Sequence, residues 1–162
     1  MPIIVQKYGG TSIGSIEKIN TVANKIIAER NNGNDLVVVV SAMSGETNRL
    51  LELAKQANSD ASGRELDVLV STGEQVTISL LALALIKKGY KAISLTGSQA
   101  GILTDSAFNK ARIESINNII IKKYIKDGFI VVVAGFQGIN NEGDITTLGR
   151  GGSDASAVAI SV

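Results

Sequence analysis

An α/β fold built on a mostly parallel sheet, with helices on both of its faces, is the fold class that this sequence predicts. Four short runs rich in β-branched residues carry no polar alternation, which is typical of strands covered on both faces. These runs are IIV at 3–5, LVVVV at 36–40, AISL at 92–95 and FIVVVA at 129–134. Helical patterns separate them, and this alternation favours an open sheet that binds ligands at the carboxyl ends of its strands.

The clearest predicted helix has five apolar residues on one stripe and Gly33 just beyond its end. The stripe consists of Ile16, Ile19, Ala23, Ile26 and Ile27. Further helices are predicted over 47–57, 74–88 and 117–127. Gly89 and Gly128 follow lysine-containing last turns, a pattern typical of helix C-termini, and a predicted strand comes directly after each glycine.

The last segment, GGSDASAVAISV, begins like a helix with Ser153 or Asp154 as its N-cap. It then stops among apolar residues without a capping signal. We therefore expect the chain to end inside a structural element, so that the fold is truncated at its C-terminus. A short terminal helix packed on the sheet is the alternative.

Composition predicts one compact core and excludes several kinds of site. The 162 residues are 44% apolar, and 16 basic residues nearly balance 15 acidic ones, giving a net charge of +1. Because no dense basic run offers a footprint for a phosphate backbone, we expect no nucleic-acid partner. Cysteine and histidine are absent. Their absence excludes a Ser-His-Asp triad, an imidazole base and the usual zinc sites.

The sequence shows no pattern of a signal peptide or a membrane span. Its start, MPIIVQKYGG, lacks a basic segment followed by an apolar one. The longest apolar stretch, near 78–86, falls short of the about 20 residues that span a bilayer. We expect a soluble cytoplasmic protein without a membrane partner.

Loops of small and polar residues follow the predicted strands. They are KYGGTSIGS at 7–15, SAMSGETN at 41–48 and GFQG at 135–138, and a further loop, TLGRGGSD at 147–154, leads into the last helix. Parallel strands would bring these loops to one sheet edge, where backbone amides and a helix N-terminus favour an anion. The loops therefore predict a phosphate site.

Two common nucleotide motifs are not matched by the first loop. It nearly reads as a Walker A sequence, but Ile13 precedes Gly14 and no lysine follows, and GxGxxG is also missing. Lys7 instead precedes the glycines. It could neutralise a transferring phosphoryl group, or it could be a solvated charge at a strand end.

Three charged residues further along the chain are open to two interpretations each. Glu74 lies near the start of an apolar helix, where it could bind a ligand or act only as a capping charge. Arg150 and Asp154 flank a glycine pair, and they could form a carboxylate clamp or a surface ion pair.

Six blocks of the sequence combine these loops with the segments beside them. They are KYGGTSIGS at 7–15, VVVVSAMSGETNRLL at 37–51, ELDVLVSTGEQVT at 65–77, ILTDSAFNKARI at 102–113, VVVAGFQGI at 131–139 and TTLGRGGSDASA at 146–157. Taken together, they resemble aspartate kinases. Their joint occurrence in family order is more specific than any single glycine pattern. Glutamate, acetylglutamate or uridylate kinases share the glycine loops but should not show STGE, GFQG and GRGGSD together.

The resemblance implies an amino-acid-kinase fold that binds L-aspartate and ATP, with Mg²⁺, along the carboxyl edge of the sheet. By this resemblance the catalytic residues are Lys7 and Asp154, and the substrate-binding residues are Thr47, Glu74, Phe136, Arg150 and Ser153. The residues implied for nucleotide and phosphate binding are Lys7, Tyr8, Gly9, Gly10, Ser41, Gly151 and Gly152. The resemblance supplies no metal-ligating residue. A carboxylate substrate is already ionised near neutral pH, which fits a sequence without histidine.

The sequence departs from the family pattern in two respects. The family usually reads SDTTA where this chain has SDASA at 153–157, which changes the placement of hydroxyl groups at the helix start. The family also continues beyond position 162 through adenosine-binding motifs and regulatory ACT modules. Residues 1–162 are thus expected to be the N-terminal part of the catalytic domain, inactive alone, from an enzyme that forms homo-oligomers. A non-catalytic piece that keeps only the aspartate half-site is the alternative.

Overall fold

The computed structural model describes residues 1–149 and 151–161, which form two sheets and the helices around them. The strands are β1 (Ile3–Tyr8), β2 (Asp35–Val40), β3 (Ala92–Leu95), β4 (Ile102–Thr104), β5 (Ile113–Ile116), β6 (Ile130–Ala134), β7 (Gln137–Ile139) and β8 (Ile145–Thr147). The helices are α1 (Ile16–Asn31), α2 (Glu46–Ala57), α3 (Arg64–Val70), α4 (Thr72–Lys87), α5 (Ile119–Lys126) and α6 (Gly152–Ser161). A short 3-10 helix, Gly10–Ile13, follows β1.

The first sheet confirms the predicted parallel sheet. Its strand order is β1-β2-β6-β3, and every neighbouring pair is parallel. The polyvaline strands β2 and β6 lie at its centre, with Val37 paired to Val131 and Val40 to Ala134. The crossovers between these parallel strands place the carboxyl ends of β1, β2 and β6 at one edge.

Helices cover both faces of this sheet, also as predicted. Side chains alternate along β2, so Val38 and Val40 face one core and Val37 and Val39 face the other. Residues of α1 and α4 fill the first core, whereas α5 and part of α6 contribute to the second. Burial on both faces explains why these strands read as unbroken apolar runs.

The second sheet was not predicted from the sequence. Its order is β5-β4-β7-β8, with antiparallel β4–β5 and β7–β8 pairs and a parallel β4–β7 pair. Each strand has only three or four residues, and several of these residues are polar. Periodicity is weak over so few positions, so the hydrophobic pattern gives little signal.

The structure corrects the predicted start of α6. Ser153 or Asp154 was predicted as the N-cap, but both lie within the first turn of a helix that begins at Gly152. The N–H of Ala155 donates to the Gly151 carbonyl at 3.0 Å, so helical bonding is established before Ser153. Gly151 has a φ of 78°, which a glycine adopts without strain.

One helical stretch is longer than predicted. Ser71 alone separates α3 from α4, and the combined stretch Arg64–Lys87 is long and apolar enough to cross a membrane by length and composition. A core helix of a soluble protein meets the same criteria. Here Leu81 and Leu85 are fully buried in the first core, and about half of the most apolar 18-residue segment of the stretch is buried.

Candidate functional site

The loops after β1, β2 and β6 meet the start of α6 around one cavity. Its volume is about 270 Å³, and it lies at the predicted carboxyl edge of the first sheet. The lining residues are Lys7, Ser41, Ala42, Thr47, Glu74, Phe136, Gly151, Gly152, Ser153 and Asp154. The structure therefore brings together most of the residues that the sequence analysis selected.

Lys7 and Asp154 form an ion pair across the cavity. Lys7 Nζ lies 3.0 Å from Asp154 Oδ1, and the two side chains are 34% and 70% exposed. Such an exposed pair contributes little to stability. Asp154 is in the first turn of α6, where the helix dipole favours its negative charge. The pair is thus better suited to holding the Lys7 ammonium in place than to stabilising the fold.

Asp154 also borders a second and larger cavity of about 900 Å³. This cavity lies along α6, and Lys110 and Arg112 are among its lining residues. Asp154 is therefore open to solvent from two sides, which explains its high exposure.

A serine pair joins the end of β2 to the start of α6. Ser41 Oγ donates to Ser153 Oγ at 2.9 Å. Gly135, just after β6, lies against Ser153 of this pair, since a Cβ on Gly135 would be 2.9 Å from Ser153 Oγ and 3.0 Å from Val39 Cγ1. The close packing requires glycine there, and it fixes α6 against the sheet.

Glu74 lies in the first turn of α4 and is only 1% exposed. Burial raises the pKa of its carboxyl from the ordinary 4.5 to about 7, although hydrogen bonds from its own backbone, from Gln137 and from the Ala42 backbone oppose the shift. A simple capping charge at a helix end would stay in water. Glu74 instead lines the cavity as a buried acid with no lysine or arginine paired to it among the described residues.

Phe136 has a strained backbone beside the cavity. Its φ is 70°, a conformation that is uncommon for a residue other than glycine. The Phe136 N–H donates to Ser156 Oγ at 3.2 Å, and Ser156 Oγ donates in turn to the Gly152 carbonyl at 3.0 Å. Strain of this kind persists where the surroundings hold it, and it is frequent at binding sites.

The other predicted site residues differ in how they meet the cavity. Thr47, in the first turn of α2, is half-buried and lines it. Gly9 and Gly10 are not among its lining residues but lie beside two of them. A Cβ on Gly9 would lie 3.6 Å from Lys7 Nζ, and one on Gly10 would lie 2.9 Å from the Ala42 carbonyl oxygen. Arg150 lies outside the described residues.

Tyr8 does not bring its side chain to the cavity. The ring packs against the first core, and the hydroxyl donates to Gln6 Oε1 at 3.1 Å. Burial raises the pKa of this phenol. The predicted contact of Tyr8 with phosphate is therefore limited to its backbone.

Two buried polar residues near the site were missed by the sequence analysis. Gln137 directly contacts Glu74, with Nε2 3.3 Å from Glu74 Oε1. Asp67, fully buried in α3, accepts hydrogen bonds from Asn109 and Thr147. It thereby holds the end of β8, at Thr147, against α3. A lone acid within the apolar run LDVLV was the available signal for Asp67.

The donor set around the cavity limits how a metal could bind. Among the described residues there is no group of three or more acidic side chains placed to hold a metal ion. Asp154 is the carboxylate next to the predicted phosphate position. Magnesium is commonly held by one or two carboxylates together with substrate phosphates, so Asp154 fits that mode of binding.

Comparison with known proteins gives the family. The model of the amino acid kinase family matches residues 2–162. An aspartate kinase of Pseudomonas putida is 62% identical over 160 residues, covering 99% of this chain and 39% of that protein. An aspartokinase of a Bacillus species is 61% identical with the same coverage. The chain thus spans about two fifths of the length of these curated relatives.

A solved structure agrees with these matches. The crystal structure of aspartate kinase from Synechocystis superposes with a TM-score of 0.83 at 46% identity, covering 98% of this chain and 26% of that one. Its similarity extends over both sheets and the helices that carry the cavity. This chain belongs to the amino acid kinase family.

Proposed function

We propose that this chain provides the aspartate-binding and phosphate-facing part of an aspartate kinase. The reaction transfers the γ-phosphoryl group of ATP to the side-chain carboxylate of L-aspartate and gives 4-phospho-L-aspartate. The observation that carries the proposal is the convergence of Lys7, Glu74 and Asp154 on one cavity. The relatives that are 61% and 62% identical and are named aspartokinase and aspartate kinase support the choice of substrate.

The reaction does not need a general base from the protein. An aspartate side chain has a pKa of about 3.9, so its carboxylate is already ionised near neutral pH. A carboxylate oxygen attacks the γ-phosphorus, a new O–P bond forms, and the bond to the leaving ADP oxygen breaks. Catalysis then depends on alignment and on neutralising the phosphoryl charge, as is general for phosphoryl transfer.

Lys7 is the residue that supplies positive charge. Its ammonium lies beside Gly9 and is held by Asp154 at 3.0 Å. An ammonium fixed in advance stabilises the transferring group without reorganisation during the reaction. The start of α6, with Gly151 and Gly152, adds backbone N–H groups and the positive end of a helix dipole.

The opposite side of the cavity suits the amino acid. Glu74 is placed to receive the amino group of aspartate, and Thr47, Phe136 and Ser153 line the space around it. Arg150 is assigned to the α-carboxylate by its position in GRGGSD. A buried acid facing a bound ammonium would be held in its ionised form.

Mg²⁺ is the metal that this function implies. When bound with the nucleotide, it supplies further positive charge at the phosphate oxygens. Asp154 would hold it from the protein side, because this carboxylate is exposed toward the cavity and Lys7 occupies only one of its oxygens.

We also propose a pathway, a cellular location and an oligomeric state for the whole enzyme. The product is the precursor expected on the route to lysine, threonine and methionine, and an enzyme that consumes ATP and a free amino acid suits a cytoplasmic location. We also propose that the enzyme acts as a homo-oligomer.

A chimera tests the proposal directly. The aligned 160 residues of the Pseudomonas putida aspartate kinase would be replaced by those of this chain, and aspartate-dependent ADP release would be measured. We expect activity close to that of the parent enzyme. Lys7→Ala and Asp154→Ala should each lower turnover about a hundredfold or more, since each removes part of a preorganised charge.

The control is Lys55→Ala, which removes an exposed lysine from the last turn of α2 and should leave turnover unchanged. A chimera that folds but releases no ADP with aspartate would contradict the proposed function. So would activity within threefold of the chimera in both the Lys7 and Asp154 variants.

A further inference from the structure

Gln137 lies between three elements that meet behind the cavity. It is the first residue of β7 and is only 3% exposed. Its amide reaches the junction of α3 and α4 at Ser71, the carboxyl of Glu74 and the turn after β3 at Gly97. The side chain does not line the cavity, so it contacts a cavity residue from behind.

The neighbours of the Gln137 amide determine its orientation. Nε2 donates to the Ser71 carbonyl at 2.9 Å and to Glu74 Oε1 at 3.3 Å, while Oε1 accepts the Gly97 N–H at 3.3 Å. A backbone carbonyl only accepts, and a backbone N–H only donates. Turning the amide over would therefore place its oxygen against two acceptors. The second N–H must face Glu74.

This arrangement bears on the charge of Glu74. Other charged side chains have partners of their own and do not pair with Glu74. Lys7 and Asp154 also line the cavity but pair with each other, and Glu46 on α2 pairs with Arg49 at 2.6 Å. Among the described residues, Gln137 is thus the one side chain that donates a hydrogen bond to the Glu74 carboxyl. A hydrogen bond donated to a carboxylate favours the ionised form, and burial opposes it.

We propose that Gln137 is a positioning residue, whose amide holds the Glu74 carboxylate in the orientation and charge state that receive the amino group of the substrate. The role in substrate binding rests on the proposed function. The role in setting the charge of Glu74 depends only on the contacts of Gln137.

The test is a pH titration followed by NMR, on the 162-residue chain with its glutamates labelled by ¹³C at the side-chain carboxyl. Gln137→Met keeps the length and apolar bulk of the side chain and removes both donors. Since hydrogen bonds to charged groups are among the stronger ones, we expect the pKa of Glu74 to rise by about one pH unit in this variant. Gln99→Met is the matched control, because Gln99 is exposed and its Oε1 accepts only the Thr96 N–H in the neighbouring turn.

Binding of L-aspartate to the same chains gives a second readout. With the pKa of Glu74 at about 7 in the parent chain and near 8 in Gln137→Met, the ionised fraction near pH 7 falls about fivefold. The dissociation constant should therefore rise about fivefold near pH 7, and the difference should nearly vanish at about pH 9. A residue with a merely structural role would weaken binding equally at both pH values.

The unmodified chain provides a measurement that does not depend on a variant folding. The side-chain ¹⁵N–¹H signals of Gln137 should titrate with the same midpoint as the Glu74 carboxyl carbon. Signals that do not move through this titration would overturn the inference, as would an unchanged pKa of Glu74 in a folded Gln137→Met. A parent chain that shows both titrations but binds no aspartate would overturn the proposed function and support the control of Glu74 by Gln137.

Discussion

Replacing Glu74 by glutamine should stabilise the protein at neutral pH and not at acid pH. The carboxyl is 1% exposed, and its pKa rises from the ordinary 4.5 in an unfolded chain to about 7 in the folded one. Between these values the folded state keeps a proton that the unfolded state has lost. The protonated Glu74 carboxyl therefore contributes to the free energy of unfolding. This contribution is fully present below about pH 4.5 and is lost as the pH rises through about 7.

The magnitude follows from the size of the shift. A rise from 4.5 to about 7, at about 1.4 kcal/mol for each pH unit, corresponds to about 3 kcal/mol of lost stability above neutral pH. Glutamine has nearly the same shape as a protonated glutamate and never ionises. Glu74→Gln should thus match the parent near pH 4 and exceed its free energy of unfolding by about 3 kcal/mol near pH 8.

Urea unfolding of both proteins between about pH 4 and pH 8 measures this difference. Other titrating groups are common to the two proteins, so their contributions cancel in the comparison. The same variant should bind aspartate poorly, which is the usual conflict between stability and a functional buried charge. A difference that stays constant across the pH range would refute the reasoning, and so would a parent protein that is the more stable one near pH 8.

Three further predictions concern single features. Asp67→Asn places an amide donor against donors from Asn109 and Thr147 and should lower the free energy of unfolding, measured in urea, by about 2–4 kcal/mol. Asp60→Asn, at an exposed position, is the control, and an equal loss of stability in the two variants would contradict the prediction. Gly152→Ala sets a Cβ 2.7 Å from Phe136 Cδ1 and should lower the free energy of unfolding by about 1–3 kcal/mol. Gly149→Ala, whose nearest neighbour is 4.0 Å away, should lower it much less, and equal melting temperatures for the two variants would argue against this packing. The 162-residue chain by itself should bind sulfate or phosphate near Lys7 but should release no ADP with aspartate; calorimetric binding of ATP as tight as that of the Pseudomonas putida enzyme would contradict this prediction.

The first sheet was predictable because its strands are buried on both faces. LVVVV and FIVVVA have no polar alternation, and each is followed by a loop of small residues, so strand type and loop position follow from local pattern. The second sheet was not predictable in this way. Strands of three residues such as β7 and β8 are defined by their pairing with distant segments and not by their own composition.

The residues of the site likewise divide into those that local sequence pattern predicts and those that it does not. Lys7, Ser41 and Asp154 lie at strand ends or a helix start, where sequence position alone points to the carboxyl edge of the sheet. Gln137 and Asp67 act through partners far along the chain, 66 residues for the Gln137 contact with Ser71 and 80 for the Asp67 contact with Thr147. A hydrogen bond of that span leaves no periodic trace in the sequence, so only the fold reveals these two residues.

A crystal structure of the 162-residue chain with L-aspartate and sulfate tests the central claim most directly. The claim is that one cavity at the carboxyl edge of the first sheet receives both the amino acid and the transferred phosphate. We expect the amino group of aspartate within hydrogen-bond distance of Glu74, and sulfate between Lys7 and the start of α6. Aspartate bound away from Glu74, or Lys7 and Asp154 on opposite faces of the molecule, would contradict the account.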